Sequence, residues 1–201
     1  KRDLLIEEFI EGKDYRFLVV DGKVSAVMER IPAHVVGEGK SNLRQLIKKF
    51  NQNPLVGKMY EKPMCRIQID SEVKRILKKQ GKKLSYIPKK GERVFLRQNA
   101  NISTGGIGKD VTDKVSQKLK DVAVKAAKVI GLKITGVDMI YNSRENEGYL
   151  LELNGCPGID IHHYPVLGKS QDVASDIVNA LFADLSASSA LIMPGDSTKR
   201  V

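Results

Sequence analysis

The apolar positions of this chain cluster in short runs whose spacing changes from strand-like to helix-like along its length. Residues 14–20 and 23–31 are two such runs, separated only by Asp21 and Gly22. That dipeptide tolerates positive φ at both positions, so it predicts a tight hairpin and an antiparallel pair. Residues 4–10 also read as extended, with a strand starting at Leu4. Pro32 ends the second run, Gly37 and Gly39 mark a loop, and Ser41 is placed to cap a helix running to about Phe50. Residues 51–62, with Pro54 and Gly57, read as irregular.

From Ser71, Val73, Ile76 and Leu77 form one stripe with lysines opposite, which predicts a second amphipathic helix. The basic stretch 79–91 reads as a mobile surface loop, residues 93–97 as a strand, and residues 98–109 as a polar, glycine-bearing connection. Val115, Leu119, Val122, Ala123, Ala126, Val129 and Ile130 recur at three- and four-residue steps, which predicts a helix closed by Gly131. Residues 134–141 and 149–153 predict two strands joined by a polar connection. A last helix is expected over 171–185, leaving 186–201 as a small, polar, disordered tail. No internal repeat and no domain boundary before Ser186 stands out.

Composition narrows the field. The chain has 201 residues, 41% of them hydrophobic, enough to bury a core. No apolar window approaches bilayer length and the opening residues are too acidic for a signal peptide, so the chain reads as soluble and cytoplasmic, without a membrane partner. Two cysteines, Cys65 and Cys156, cannot build a disulfide framework or a four-ligand zinc site. They read as reduced thiols, with Cys156 packed rather than nucleophilic. The net charge of +10 favours phosphate-bearing partners. With aromatics at 5% and no Trp, the scattered lysines lack the stacking rings of a nucleic-acid surface, and nucleic acid is not expected as a partner.

Three regions could carry chemistry. Glu152 and Asn154 lie two apart in an extended run, so both point to one face while Leu151 and Leu153 point to the other. Asp138 sits in a neighbouring apolar run. Two carboxylates and an amide oxygen meeting at one place would suit a hard divalent cation, Mg2+ above all, which completes its octahedron with phosphate and water. Taken singly, each is an ordinary solvent-facing strand residue. Their joint occurrence ahead of Pro157 and Gly158 favours the metal reading. In the second region, Arg97, Asn99, Asn101 and Ser103 precede Gly105 and Gly106, so that fixed charge, polar donors and close backbone approach could serve an anion. The spacing of a P-loop is absent. In the third, Glu7, Glu8, Phe9, Ile10 and Asp14 could present backbone groups and carboxylates to a purine and its ribose, or could simply be surface charge. His162 and His163, adjacent on an extended chain, would point different ways.

Together, the motifs Leu5-Ile6-Glu7-Glu8-Phe9-Ile10 with Gly12 and Asp14, Gly136-Val137-Asp138, and Glu152-Leu153-Asn154 with Pro157 and Gly158 resemble the later part of an ATP-grasp ligase over residues 4–185. Residues 30–39 and 96–106 are similar to two branches of that superfamily: the ATP-grasp module of bacterial bifunctional glutamate-cysteine ligase/glutathione synthetase, and cyanophycin synthetase. Ile161-His162-His163-Tyr164-Pro165, with Gly168 and Lys169, leans to the first. The spacing from Asn154 to Gly158 and Asp172-Val173-Ala174 lean to the second. The fold this implies is α+β, an incomplete ATP-grasp-like antiparallel sheet flanked by helices, with helices on one side of the sheet and nucleotide and metal on the other.

The resemblance further implies ATP and Mg2+ as cofactors, with Mn2+ as a substitute for the metal. Glu7 would meet the adenine amino group, the backbone of Glu8, Phe9 and Ile10 the rest of the base, and Asp14 the ribose. Asp138, Glu152 and Asn154 would hold the metal. Arg97 and Asn99 would be catalytic, and Asn101, Ser103, Gly105 and Gly106 would contact phosphate. The implied reaction activates a carboxylate with the γ-phosphate of ATP and lets an amine attack to form an amide, joining small-molecule or peptide substrates. Such ligases also carry an earlier ATP-grasp subdomain, so the chain reads as a piece of a longer protein that by itself binds nucleotide weakly and lacks ligase activity. A homo-oligomer is compatible with the sequence. The competing reading from another class is a non-catalytic basic binding module.

Overall fold

The computed structural model of the chain describes residues 4, 6–58 and 61–189, with side chains to residue 182. In chain order its strands are β1 (Lys13–Val20), β2 (Lys23–Ile31), β3 (His34–Val36), β4 (Val56–Gly57), β5 (Met64–Cys65), β6 (Arg93–Phe95), β7 (Ile107–Asp110), β8 (Ile134–Asn142) and β9 (Glu147–Asn154). The helices are α1 (Leu43–Asn51), α2 (Ser71–Lys79), α3 (Gln117–Ile130), the single turn α4 (Asp160–His163) and α5 (Val173–Ser189).

Asp21 and Gly22 take positive φ of 48° and 73°, so β1 turns directly into β2. The hairpin seeds a five-stranded antiparallel sheet in the order β7-β2-β1-β8-β9. Strand alternation divides its residues between two faces. Tyr15, Phe17 and Val19 point to one face, where with Val27, Val137 and Met139 they meet Leu119, Ala123 and Ala127 of α3. Gly131, at φ 75°, closes that helix as its spacing predicts.

The opposite face carries Asp14, Arg16, Leu18 and Val20, and is split along its length. Its far end is apolar: Leu18, Val20 and Ala26 pack on Val173, Ile177 and Ala180 of α5. Its near end is charged. Helices therefore lie on both faces, in contrast to the one-sided arrangement expected, because β1 changes from charged to apolar side chains halfway along this face.

Residues 31–96 build a second, smaller core beside the sheet. Leu43, Leu46 and Ile47 of α1, Val73 and Leu77 of α2, and Val35, Val94 and Leu96 around β3 and β6 enclose it. The cap of α1 is Asn42, one residue beyond the expected Ser41; its side chain accepts from the Gln45 amide while its own amide donates to Gln45 Oε1. Asp70 caps α2. The loop after α2 is pinned rather than loose: Tyr86 donates to Glu92, and the Leu43 amide donates to the Tyr86 carbonyl.

Four further expectations are corrected. Residues 6–10 join no strand and are exposed up to the half-buried Ile10. β4, within residues 51–62 read as irregular, forms a short parallel pair with β5, just beyond them. His162 and His163 lie on a helical turn, not on an extended chain. α5 starts at Val173, where Asp172 accepts from the Ser175 amide, and runs to Ser189, past the end expected for it. Residues 190–201, which the tail reading covers, lie outside the described residues.

Candidate functional site

The charged half of the second sheet face floors a cleft of 480 Å³. Arg16, Arg30, Glu152 and Asn154 line it from the sheet, Asn101 and Ser103 from a 3₁₀ turn (Ile102–Thr104), and Cys156 and Asp160 from the chain leading into α4. Lys62 and Pro63 close the fourth side.

Register explains the convergence. Met28, Arg16, Asp138 and Glu152 stand directly opposite one another across β2, β1, β8 and β9. Residues so paired share a face with neighbouring Cβ atoms. Asp138, 1% exposed, is gripped by both arginines: Arg16 donates through Nε and, at 2.8 Å, through Nη2, and Arg30 Nη2 lies 3.0 Å away. Arg30 also donates to Asp14 at 2.6 Å. The result is a buried ladder of two acids and two cations, in which the mutual compensation is what makes burial tolerable.

Ionisation follows from this packing. Burial opposes charge on Asp138, yet the Arg16 hydrogen bonds and the charges of Arg16 and Arg30 hold its carboxyl below the ordinary range. Glu152 moves the other way. Its hydrogen bond to Asp138, then the Asp138 charge, then partial burial, raise it above the usual carboxylate range. Asp14 is raised chiefly by burial, against the opposing effect of Arg30. Glu152 thus faces the cleft with the buried Asp138 carboxylate behind it, and a bound cation would offset their mutual repulsion.

The structure brings together Asp138, Glu152, Asn154, Asn101 and Ser103, with Asp14 adjoining through Arg30. The Asn154 Oδ1 accepts from the Cys156 amide at 2.9 Å. The glycines lie beneath the loop: Gly105 has φ +94°, and a Cβ there would come within 2.4 Å of Ile67. A Cβ on Gly106 would meet the Ala100 and Asn101 carbonyls at 2.8 Å. These contacts fix the loop against the second core.

Other expected members stand apart. Arg97, 8% exposed, does not line the cleft; its Nη2 donates to Asp70 at 2.6 Å, so its charge is already neutralised at the cap of α2. Asn99 is exposed and also off the lining. Glu7, Glu8 and Phe9 are exposed on the irregular segment, alongside the β8–β9 hairpin: the Glu8 charge reaches Tyr149, and Arg144 lies 3.5 Å from Glu11. Cys156, expected to be packed, is exposed at the cleft, because its backbone turns outward over Asn154.

Arg16, Arg30, Lys62 and Asp160 escaped the sequence reading. A signal existed for the first: Asp14 and Arg16 alternate within an apolar strand, which puts both on one face.

Among the described residues no three His, Cys, Asp or Glu side chains form a metal-holding group. The two carboxylates with the Asn154 amide nevertheless fit a cation of the Mg2+ type, which takes one or two carboxylates and draws its other ligands from phosphate and water. No helix among the described residues is long and apolar enough to cross a membrane.

Comparison with known proteins accords with this architecture. Residues 66–181 match the RimK-like ATP-grasp domain. The chain is 41% identical over 183 residues to the glutathione biosynthesis bifunctional protein GshAB of Desulfotalea psychrophila, covering 89% of this chain and 24% of that protein. It is 39% identical over 188 residues to cyanophycin synthetase of Geminocystis herdmanii, covering 91% and 22%. The crystal structure of a bifunctional glutathione synthetase from Pasteurella multocida superposes with a TM-score of 0.77 at 32% identity, over 88% of this chain and 25% of that one. The chain spans about a quarter of the length of these relatives. With more than half of its residues inside the family match and the sheet, helices and cleft arranged as described, the chain belongs to the RimK-like ATP-grasp family.

Proposed function

We propose that this chain supplies the metal-binding and phosphate-facing part of an ATP-dependent carboxylate–amine ligase that forms amides through an acyl phosphate. The observation that carries the reading is Glu152, backed across the β8–β9 pairing by the buried Asp138, in a cleft that Arg16, Arg30 and Lys62 also line. Acids for a cation and cations for phosphate occupy one cavity there.

In this reading Asp138, Glu152 and Asn154 hold Mg2+, with Mn2+ as a substitute, and the metal neutralises charge on the ATP phosphates. Arg16 and Arg30 are held in fixed orientation by Asp138 and Asp14, so their free N–H groups meet a developing phosphoryl or acyl-phosphate oxyanion without reorganising. Asn101 and Ser103 donate to the same anion from the facing turn. Arg97 acts from behind, fixing the base of the glycine loop through Asp70. Glu7, the backbone of Glu8 to Ile10, and Asp14 serve adenine and ribose.

By similarity to GshAB, the proposed substrates are γ-glutamylcysteine and glycine; by similarity to cyanophycin synthetase, an aspartate–arginine polymer primer and its amino acids. The test is ADP release by a polypeptide that includes this chain, assayed with each pair. One pair should support turnover, and Glu152→Gln should abolish it. Undiminished turnover in Glu152→Gln, or Mg2+-independent ADP release, would overturn the reading.

A further inference from the structure

The positive surplus of this chain is confined to one part of it. Residues 31–100 contain 17 Lys and Arg against 5 Asp and Glu, a surplus of twelve, whereas the remaining residues contain 17 against 19. The lobe built on the second core therefore carries the whole net charge, and the sheet that floors the cleft is slightly acidic. Scattered solvation of helix faces would spread the charge over both.

Two hollows on this lobe concentrate it further. One, of 490 Å³, is lined by Lys74, Leu77, Lys78, Lys82, Lys83 and Leu84. The other, of 500 Å³, includes Arg44, Ile47, Lys48, Arg66, Ile67 and Ile69. They adjoin where the Arg44 amide donates to the Leu84 carbonyl at 3.2 Å, and Ile47, Ile67 and Leu77 belong to one core. Helical spacing puts Arg44 and Lys48 on one face of α1, and Lys74 and Lys78 on one face of α2. Of the seven cations, Lys82 is paired with Glu92 and lies over the Tyr86 ring. The other six have no acidic partner among the described residues. Such an uncompensated cluster costs self-repulsion unless a polyanion covers it.

We infer that the α1–α2 lobe is a docking groove for an acidic, amphipathic peptide segment, with apolar side chains seated on the half-buried Leu84 and Ile69 and carboxylates meeting the cationic rims. The floor separates this partner from nucleic acid. It is aliphatic and carries no aromatic platform, and lysines outnumber arginines on the rim, so neither base stacking nor bidentate phosphate contact is provided for. The groove stands outside the cleft, and the inference is independent of the ligase reading.

The test is fluorescence anisotropy with a labelled 18-residue helical peptide of Glu and Leu, with Leu on one face. A peptide of the same charge with Ser in place of Leu, and single- and double-stranded oligonucleotides, serve as comparisons. The amphipathic peptide should bind best, and the triple change Lys74→Glu, Lys78→Glu and Lys83→Glu should weaken it at least tenfold. An equal charge change on α3 and the loop before it, Lys114→Glu, Lys125→Glu and Lys128→Glu, should weaken it less than threefold. These six side chains are exposed, and circular dichroism checks that each variant is folded. Equal losses in the two triple variants, equal binding of the Ser peptide, preference for an oligonucleotide, or no binding to the amphipathic peptide would overturn the inference.

Discussion

Asp138 and Glu152 face each other, yet a substitution at each should report something different. Asp138 neutralises Arg16 and Arg30. Asp138→Asn leaves two largely buried guanidinium groups short of charge compensation, a situation that costs on the order of 3–5 kcal/mol. Chemical denaturation should show a loss of that order, so failure of Asp138→Asn to bind nucleotide would confuse stability with ligand contact. Glu152 is exposed and has no cationic hydrogen-bond partner among the described residues, so Glu152→Gln should shift the denaturation midpoint little while removing Mg2+-dependent ATP binding, by calorimetry, from a polypeptide that includes this chain. A second residue-scale expectation concerns His162, which is 0% exposed and bonded through neither ring nitrogen to any group among the described residues. Burial, then the Arg16 charge, push it down to about 4, against the pull of Asp110 and with a further push from His163. The unfolded ring protonates near 6.5, so this contribution to stability is complete above that pH and is lost as pH falls toward 4, amounting to about 3 kcal/mol. Urea melts between pH 7 and 4.5 should show a shallower pH slope for His162→Leu than for the unaltered chain.

At the scale of elements, the glycine loop and the second core hold each other. Gly105→Ala would need a left-handed backbone and would drive a Cβ into Ile67, so a loss of at least ~1–2 kcal/mol is expected, with Ser103 displaced from the cleft. Thermal melting, with nucleotide binding measured on the folded fraction, would check both effects. The Asn42 cap makes a smaller prediction: Asn42→Ala should cost α1 about 1 kcal/mol, read from the same melts. How far such elements were legible depended on how local their determinants are. The Asp21–Gly22 turn, the α2 stripe, the presence of α1 and α3 and the Gly131 cap lie within a few residues of their own causes, and they read correctly, although α3 buries Leu119, Ala123 and Ala127 while Val122, Val129 and Ile130 of its expected stripe are exposed. β4, β5 and β7 are two to four residues long, too short for a period to reveal, and β7 owes its pairing to the distant β2. Residues 6–10 have the composition of a strand but find no partner in the sheet. The Asp138–Glu152 meeting was legible because alternation and a short connection suffice to predict it. The commitment of Arg97 to Asp70 was not, because it depends on how α2 docks against β6.

For the whole molecule, one sheet carries two chemistries on a single face, and the switch from Arg16 to Leu18 along β1 separates them. α5 covers the apolar end, and the charged end stays open as the cleft. The surplus charge stands apart from both, on the lobe holding α1 and α2. Raising ionic strength should therefore weaken contacts of that lobe with anions well before it disturbs the Arg16–Asp138 pair, because exposed charges are screened and buried ones are not. Following peptide anisotropy and denaturation midpoint across the same salt series would separate the two responses.

The pairing of β8 with β9 slips between Asp138 and Met139, where Leu150 faces Met139, Glu152 faces Asp138, and Leu151 is left over and exposed. An extra residue of this kind bends its strand and tightens the local twist. Excising Leu151 would leave every remaining partner in step, so the chain should still fold. The carboxylate beyond the cut would swing to a new bearing, and the spare residue thus works as an aiming device whose removal changes direction without changing address.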